Sequence, residues 1–215
     1  MTPHIRVGLD VVDVPLVKAT MENLGGYGAL VNHPDDHEVE IVQWPRQGWR
    51  AIDDGTGDEG GTVEGDFRFW WDSGVLYGRN EAVKGSYVLG WGYDPSTPTG
   101  DMASGKAGSA MARKYLYLWH ANYHPDGGQL FFPREQKPFV APLALPGDDL
   151  KPSDFVGFWF DGSQGLYIHP GVWHDAVMPI SDELSFLDRQ GKVHARVSCC
   201  ITKEFSAYLR VSLDL

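Results

Sequence analysis

The side chains best suited to chemistry in this sequence are concentrated in two short segments. The segment His169–His174 places one imidazole on each side of a proline–glycine turn. The segment His120–His124 contributes two more imidazoles, and Gln129 follows it closely. Imidazole titrates near neutral pH and is also a common metal ligand. Together the two segments predict a site for proton transfer or for metal binding.

The element that positions the first segment is predicted to be a strand. From Arg113 onwards the residue types alternate with a period of two, which is typical of a β-strand. One face changes from apolar to polar along its length, as expected of a strand that is packed at one end and opens into a binding site at the other. The residues of that face are Leu116, Leu118, His120, Asn122 and His124.

The rest of the chain predicts an all-β fold. One short N-terminal helix is expected over residues 14–24, because Pro15 suits a first helical turn and two glycines follow Leu24. Long loops are expected over 49–66 and 93–110, which are rich in glycine, proline or acidic residues. The other segments show the short spacing of an antiparallel β-barrel or jelly roll. Predicted strands are 38–44, 67–77, 86–91, 113–124, 129–132, 139–143, 155–160, 166–169, 172–179, 193–201 and 205–213.

Composition narrows the class of partner. The 215 residues are expected to form a single domain, and their formal charge of −11 offers no basic run for nucleic acid or for an anionic membrane. The two cysteines are adjacent, at Cys199 and Cys200, so a disulfide framework is not expected. Met1 leads directly into polar sequence, which predicts a cytoplasmic protein. A small molecule or a second copy of the chain is the expected partner.

The segment Gly165–His174 resembles the second motif of the cupin barrel, in which a glycine, a proline–glycine turn and a histidine follow one another. A closer resemblance is to the ureidoglycolate lyase family, a cupin branch of ureide catabolism. It rests on His124-Pro-Asp-Gly-Gly-Gln129-Leu-Phe-Phe-Pro133, on residues 143–148 and 158–164, and on His169-Pro-Gly-Val-Trp173-His174. The chain departs from the family at Asn122, where glutamate is common, and in two insertions, 32–66 and 93–110.

This resemblance implies a carbon–nitrogen lyase that cleaves ureidoglycolate to glyoxylate and urea, and a homodimer. It implies His124 and His174 as an acid–base pair, with the order of their roles open. The expected substrate-binding residues are Gln129 for the ureido group, Arg79 for the carboxylate, and His169 and Trp173. No cofactor is required by this chemistry. An alternative is a divalent metal ion held by His124, His174 and Gln129, although a carboxamide is a weak ligand.

Two other functions stay open at the level of sequence. One is a related cupin lyase, isomerase or hydrolase that acts on another small hydroxy or oxo acid, with the insertions changing its specificity. The other is a cupin that binds a small molecule without catalysis and uses some of its eight tryptophans as a stacking surface.

Overall fold

In the computed structural model of the chain, the described residues are 5–46, 48–57, 59–97, 113–193 and 195–213. They form sixteen strands and two single-turn α-helices, with 3-10 turns at Pro34–Asp36 and Pro152–Asp154. The helices are α1 (Met21–Leu24) and α2 (Ile201–Glu204). The strands are β1 (Asp10–Val14), β2 (Leu16–Lys18), β3 (Gly28–Val31), β4 (Glu59–Asp72), β5 (Val75–Asn80), β6 (Gly85–Trp91), β7 (Tyr115–Leu118), β8 (His120–Tyr123), β9 (Gln129–Pro133), β10 (Phe139–Leu143), β11 (Val156–Phe160), β12 (Gly165–Ile168), β13 (Met178–Pro179), β14 (Glu183–Val193), β15 (Val197–Cys200) and β16 (Ala207–Ser212).

These strands build three sheets. A ten-stranded sheet has the order β1-β16-β7-β6-β5-β4-β14-β9-β12-β3, a four-stranded sheet the order β13-β10-β11-β2, and β15 pairs with β8. Most pairs are antiparallel, but β1 runs parallel to β16 and β2 runs parallel to β11. The all-β prediction is confirmed. Within the described ranges the sheets stay open, and they do not close into the expected barrel.

The main core joins the large sheet to the four-stranded sheet. Phe186 of β14 meets Phe139 of β10 edge to face, with ring centroids 5.0 Å apart, and Phe69 of β4 packs on the same ring of Phe186. All three side chains are fully buried. A separate aromatic cluster, which includes Trp91, Tyr117 and Tyr208, lies around β6, β7 and β16. Aromatic burial on this scale gives the strands fixed positions from which to carry a site.

The helix predicted over 14–24 is wrong except for its last turn. Val14 ends β1, Leu16–Lys18 forms β2, and helix α1 begins only after Thr20, whose hydroxyl accepts a hydrogen bond from the amide of Asn23. The reason is tertiary pairing. β1 and β2 find parallel partners in β16 and β11, and this pairing outweighs the weak helical pattern of the sequence.

Six further expectations need correction. The strand predicted over 67–77 is divided between β4 and β5, and the strand predicted over 113–124 is divided between β7 and β8, which belong to different sheets. Of the strand predicted over 172–179, only β13 (Met178–Pro179) forms.

The strand predicted over 38–44 is reduced to a single bridge between Ile41 and Gly127. The loop predicted over 49–66 ends early, because β4 begins at Glu59 and pairs with β14, a strand that the sequence pattern did not reveal. The strand predicted over 193–201 is shorter, since β15 covers Val197–Cys200 and α2 follows it.

The loop predicted over 93–110 is described only as far as residue 97, and its remainder lies outside the described residues. None of the described helices has the length and apolar character needed to cross a membrane.

Candidate functional site

A cavity of about 390 Å³ opens where β5, β6, β8, β9, β14 and β15 come together. Residues 51–57 form one side of it, and we call this segment the strap. The wall combines apolar side chains with many charged, imidazole, amide and hydroxyl groups. The polar side chains there include Asp53, Thr56, Asn80, His120, Asn122, His124, Gln129, Asp175, Gln190, Lys192, Arg196 and Ser198.

His124 lies at the cavity wall just after β8, and its side chain is held by backbone groups. Its Nδ1 is 3.0 Å from the carbonyl oxygen of Ala195 and therefore donates to it. The amide of Gly171 donates to the carbonyl of His124, which ties the proline–glycine turn to this strand end. Gly171 has a φ of 80°, a left-handed conformation that glycine adopts without strain. The turn in the sequence thus fixes the position of His124.

His174 lies next to His124, with ring centroids 5.1 Å apart, but it does not reach the cavity surface. Its backbone pairs with Asn122 of β8 through two hydrogen bonds. Its Nδ1 donates to the carbonyl oxygen of Val172 at 2.8 Å, and its Nε2 is 3.3 Å from Oε1 of Gln129. Burial lowers the pKa of His174, so its neutral form is favoured.

Gln129 connects His174 to a buried carboxylate. Its Nε2 donates to Oδ1 of Asp188 at 2.6 Å, and Nδ2 of Asn80 donates to Oδ2 of the same carboxylate at 2.8 Å. Asp188 is fully buried, and this burial raises its pKa to about 6, although the two amide donors act in the opposite direction. Both ends of the Gln129 amide are thus occupied by protein partners.

His120 supplies a second imidazole to the cavity wall and has an acidic neighbour. Its Nδ1 lies 3.6 Å from Oδ1 of Asp175, and both side chains are largely buried. Imidazole and carboxylate groups can both exchange protons with a bound molecule.

The cations of the cavity are Lys192 and Arg196. Nε of Arg196 donates to Oδ2 of Asp53 at 2.7 Å, which attaches the strap to the start of β15. Gln190 lies opposite Gln129 in the pairing of β14 with β9. It is 2% exposed, and its Nε2 has no hydrogen-bond partner among the described residues. A buried donor without a partner is costly, which suggests that a ligand satisfies it.

Three of the predicted site residues lie away from the cavity. Arg79 is exposed on β5, opposite Arg68 and Ser86. His169 packs beside the ring of Tyr167. Trp173 is fully buried, and its Nε1 donates to the carbonyl oxygen of Gly147 at 2.7 Å. The structure brings His124, His174 and Gln129 together and leaves these three outside the cavity lining.

A metal ion held by His124, His174 and Gln129 does not fit this arrangement. Nε2 of His174 faces Oε1 of Gln129, and Nε2 of the same amide donates to Asp188, so these two side chains are engaged by each other and by a buried carboxylate. Among the residues that the structure describes, no group of three or more His, Cys, Asp or Glu side chains could hold a metal ion. No step of the mechanism proposed below therefore passes through a metal.

Several residues of the site were not predicted from the sequence, both in the cavity wall and, for Asp188, directly behind Gln129. Asp188, Gln190 and Lys192 recur every second residue of β14, so the period-two signal was present. It was overlooked because the alternate residues of this strand are not consistently apolar. Asp175 and Arg196 gave no local signal, since only the folding of distant segments places them in the cavity.

Residues 109–205 match the family model described as ureidoglycolate lyase. The chain is 40% identical over 70 residues to a ureidoglycolate lyase of Azotobacter vinelandii, which covers 32% of this chain and 42% of that protein. Similar enzymes of Stutzerimonas stutzeri and Pseudomonas aeruginosa are 40% and 39% identical over 70 residues, covering 32% of this chain and 41% of each relative. The chain thus spans about two fifths of the length of the relatives that it matches. The strap lies outside the matched segment.

Proposed function

We propose that this chain, whose residues 109–205 match the ureidoglycolate lyase family model, cleaves ureidoglycolate to glyoxylate and urea. The observation that supports the proposal best is the joint presence of His120, His124, Lys192 and Arg196 around one small cavity. The imidazoles can exchange protons, and the cations can bind the carboxylate of a small hydroxy acid.

The reaction is an elimination that needs two proton transfers. A base removes the hydroxyl proton as the carbon–oxygen bond becomes a carbonyl. The carbon–nitrogen bond then breaks, and an acid donates a proton to the departing nitrogen of urea. One proton leaves the substrate and one returns to its product, so no oxidant, reductant or further reactant is consumed.

His124 and His120 are the side chains placed for these transfers. The bond from Nδ1 of His124 to Ala195 fixes the neutral ring with its proton on Nδ1, so Nε2 is the atom that would exchange protons with the substrate. His120 lies on the same cavity wall, with its Nδ1 3.6 Å from Oδ1 of Asp175. His174, proposed from sequence as the partner of His124, would act from behind Gln129 and orient it without touching the substrate.

The decisive experiment measures glyoxylate release from ureidoglycolate by the purified chain and by His124→Asn. Asparagine can keep the donor to Ala195 while it removes Nε2. Loss of a general acid or base costs about 10²- to 10⁴-fold in kcat, and we expect a decrease in that range. His33→Asn is the matched control, because His33 is exposed and lies outside the cavity. Turnover by His124→Asn at the wild-type rate would reject the proposed role of His124. Absence of glyoxylate release by the wild-type chain would reject the proposed reaction.

A second candidate, a lyase, isomerase or hydrolase for another small hydroxy or oxo acid, is favoured by one observation. Asp53, Gly55 and Thr56 of the strap line the cavity although they lie outside the segment that matches the family. A panel of related hydroxy acids, assayed beside ureidoglycolate, distinguishes the two. The homodimer stays a prediction.

A further inference from the structure

The strap is joined to β15 by backbone as well as side-chain bonds. The amide of Asp53 donates to the carbonyl oxygen of Arg196 at 2.7 Å, and the amide of Arg196 donates to Oγ1 of Thr56 at 3.0 Å. Gly57 has a φ of 88°, and a Cβ there would lie 3.3 Å from Cβ of Ala195. The strap therefore has a defined position, and the side chains that it directs into the cavity are held there.

One carboxylate oxygen of Asp53 fastens the strap. Its Oδ2 accepts hydrogen bonds from Nε of Arg196 at 2.7 Å and from Oγ of Ser198 at 2.6 Å. Within the described residues, Oδ1 of Asp53 has no hydrogen-bond partner, and neither have the Nη groups of Arg196. The cavity thus has a negatively charged acceptor beside a guanidinium whose orientation is fixed.

The second observation is Gln190. Its Nε2 is a buried donor without a described partner, and it belongs to the wall of the same cavity. Gln129, which the sequence suggested for the ureido group, has both ends of its amide engaged by Asp188 and His174. Gln190 is therefore the amide in this cavity that is better placed to contact a ligand.

A neutral ureido group complements these two side chains. It offers a carbonyl oxygen that can accept from Gln190 and N–H groups that can donate to Asp53. A carboxylate in the same place would offer acceptors only, and it would face the negative charge of Asp53. Like charges that are brought together in a partly buried site disfavour binding.

We propose that Asp53 and Gln190 bind the neutral ureido end of the substrate, and that Asp53 excludes acids with a carboxylate at that end. This inference rests on the proposed function and extends it to substrate selection. It gives the strap, which lies outside the family segment, a part in specificity. The guanidinium of Arg196, which lines the same cavity, would bind the single carboxylate of the substrate.

The test compares equilibrium binding of two probes by calorimetry. Ureidoacetate is the substrate without its hydroxyl, and hydroxymalonate has a carboxylate in place of the ureido group. In Asp53→Asn, we expect ureidoacetate to bind about tenfold more weakly, because a hydrogen bond to a charged group is lost. Hydroxymalonate should bind about tenfold more tightly, because the repulsion is removed. The selectivity ratio should therefore change by about two orders of magnitude.

Two control variants separate recognition from fastening of the strap. Ser198→Ala removes one hydrogen bond to Asp53 without changing charge, and Asp54→Asn removes a charge from an exposed neighbour. Both should keep the wild-type selectivity ratio. Hydrogen exchange of the strap amides should be the same in Asp53→Asn as in the wild type, since asparagine can still accept from Arg196 and Ser198.

The outcomes distinguish this inference from the proposed reaction. An unchanged ratio in Asp53→Asn, or the same change in Ser198→Ala, would show that Asp53 only fastens the strap. Wild-type chain that binds neither probe would also overturn the inference. Cleavage of ureidoglycolate with an unchanged ratio rejects the inference alone. A changed ratio without any cleavage rejects the proposed reaction and leaves the binding role of Asp53 in place.

Discussion

Asp188 is the residue whose environment is hardest to reconcile with a charge. It is fully buried, and its described hydrogen-bond partners are the neutral amides of Gln129 and Asn80. Asn80 cannot turn, because its Oδ1 accepts from the amides of Ala82 and Val83. Among the described residues, the Gln129 side chain has no such backbone bond. The proton content of Asp188 therefore determines which way the Gln129 amide points.

The hydrogen-bonded side chains of Asp188, Gln129 and His174 can be arranged in two ways that contain the same number of protons. When Gln129 donates to an ionised Asp188, its Oε1 faces His174 and accepts a hydrogen bond only from a doubly protonated ring. When Asp188 holds the proton, the amide reverses and donates to Nε2 of a neutral His174. The second arrangement leaves no buried charge and agrees with the raised pKa of Asp188 and the lowered pKa of His174.

Asp188→Asn should lock the reversed arrangement. Asparagine must accept from Asn80, so its Nδ2 donates to Gln129, and Gln129 then donates to Nε2 of His174. In the wild type, the ¹⁵N shift of this Nε2 should change as pH rises through about 6, where Asp188 ionises. In the variant that change should disappear, while the exposed control Asp54→Asn keeps it. Identical pH profiles for wild type and Asp188→Asn would contradict the shared proton.

The sequence was informative about residues near turns and much less about residues inside strands. His124 and Gln129 were selected by their spacing, and the structure places both at the cavity. Arg79 was selected as a guanidinium near a family-like segment, yet β5 directs it outwards, and Arg196 lies in the cavity instead. Which cationic residue can bind a carboxylate depends on which distant strands come together. This tertiary pairing could not be inferred from the local pattern of a single sequence.

Strand prediction succeeded where apolar residues are concentrated. β10, β11 and β16 lie within predicted segments, and β6, β9 and β12 each extend one residue beyond a predicted segment. β14 and the first half of β4 were missed, since their polar and glycine-rich residues show no clear alternation. These two strands form the longest ladder of the protein's described part, with ten aligned residue pairs. Their pairing with each other, more than their own propensity, makes them strands.

The edge pair of β3 and β12 depends on the absence of a side chain. A Cβ at Gly28 would collide with the carbonyl of Tyr167 in β12. Gly28→Ala should therefore separate the strands and lower the free energy of unfolding by about 1–3 kcal/mol, as overpacking does. Gly60 of β4 is the matched control, because, apart from its chain neighbours, no atom of the described residues lies within 4 Å of a Cβ built there. Gly60→Ala should change stability by less than about 0.5 kcal/mol in the same urea titration. Equal effects would contradict the steric argument.

The candidate site lies directly against the main core of the protein. Phe67 belongs both to that core and to the cavity wall, and it contacts Phe131 of β9. Asp188 and Gln190 occupy alternate positions of β14, which pairs with both β4 and β9. Protonation of the buried groups is consequently coupled to folding. The free energy of unfolding of the whole chain should therefore depend on pH.

Asp188 and His174 should give that stability opposite pH dependences. The pKa of Asp188 is raised from its ordinary value of 3.8 to about 6 in the folded chain, so the folded state binds the proton more tightly than the unfolded state. Stability is therefore lost as pH rises from about 4 to about 6. The pKa of His174 is lowered from 6.5, so stability is lost as pH falls below that value. The two dependences partly cancel in the wild type, and Asp188→Asn leaves only the second.

Urea unfolding of wild type and Asp188→Asn at about pH 8 and about pH 4.5 tests this coupling. The quantity compared is the free energy of unfolding of the variant minus that of the wild type. From the pKa of Asp188, 3.8 ordinarily and about 6 when folded, this difference should be about 2 kcal/mol higher at pH 8 than at pH 4.5. Asp54→Asn, which changes an exposed carboxylate, should show almost no such difference. A variant whose stability relative to wild type is the same at both pH values would mean that Asp188 is ionised throughout, and that the folded chain tolerates its buried charge.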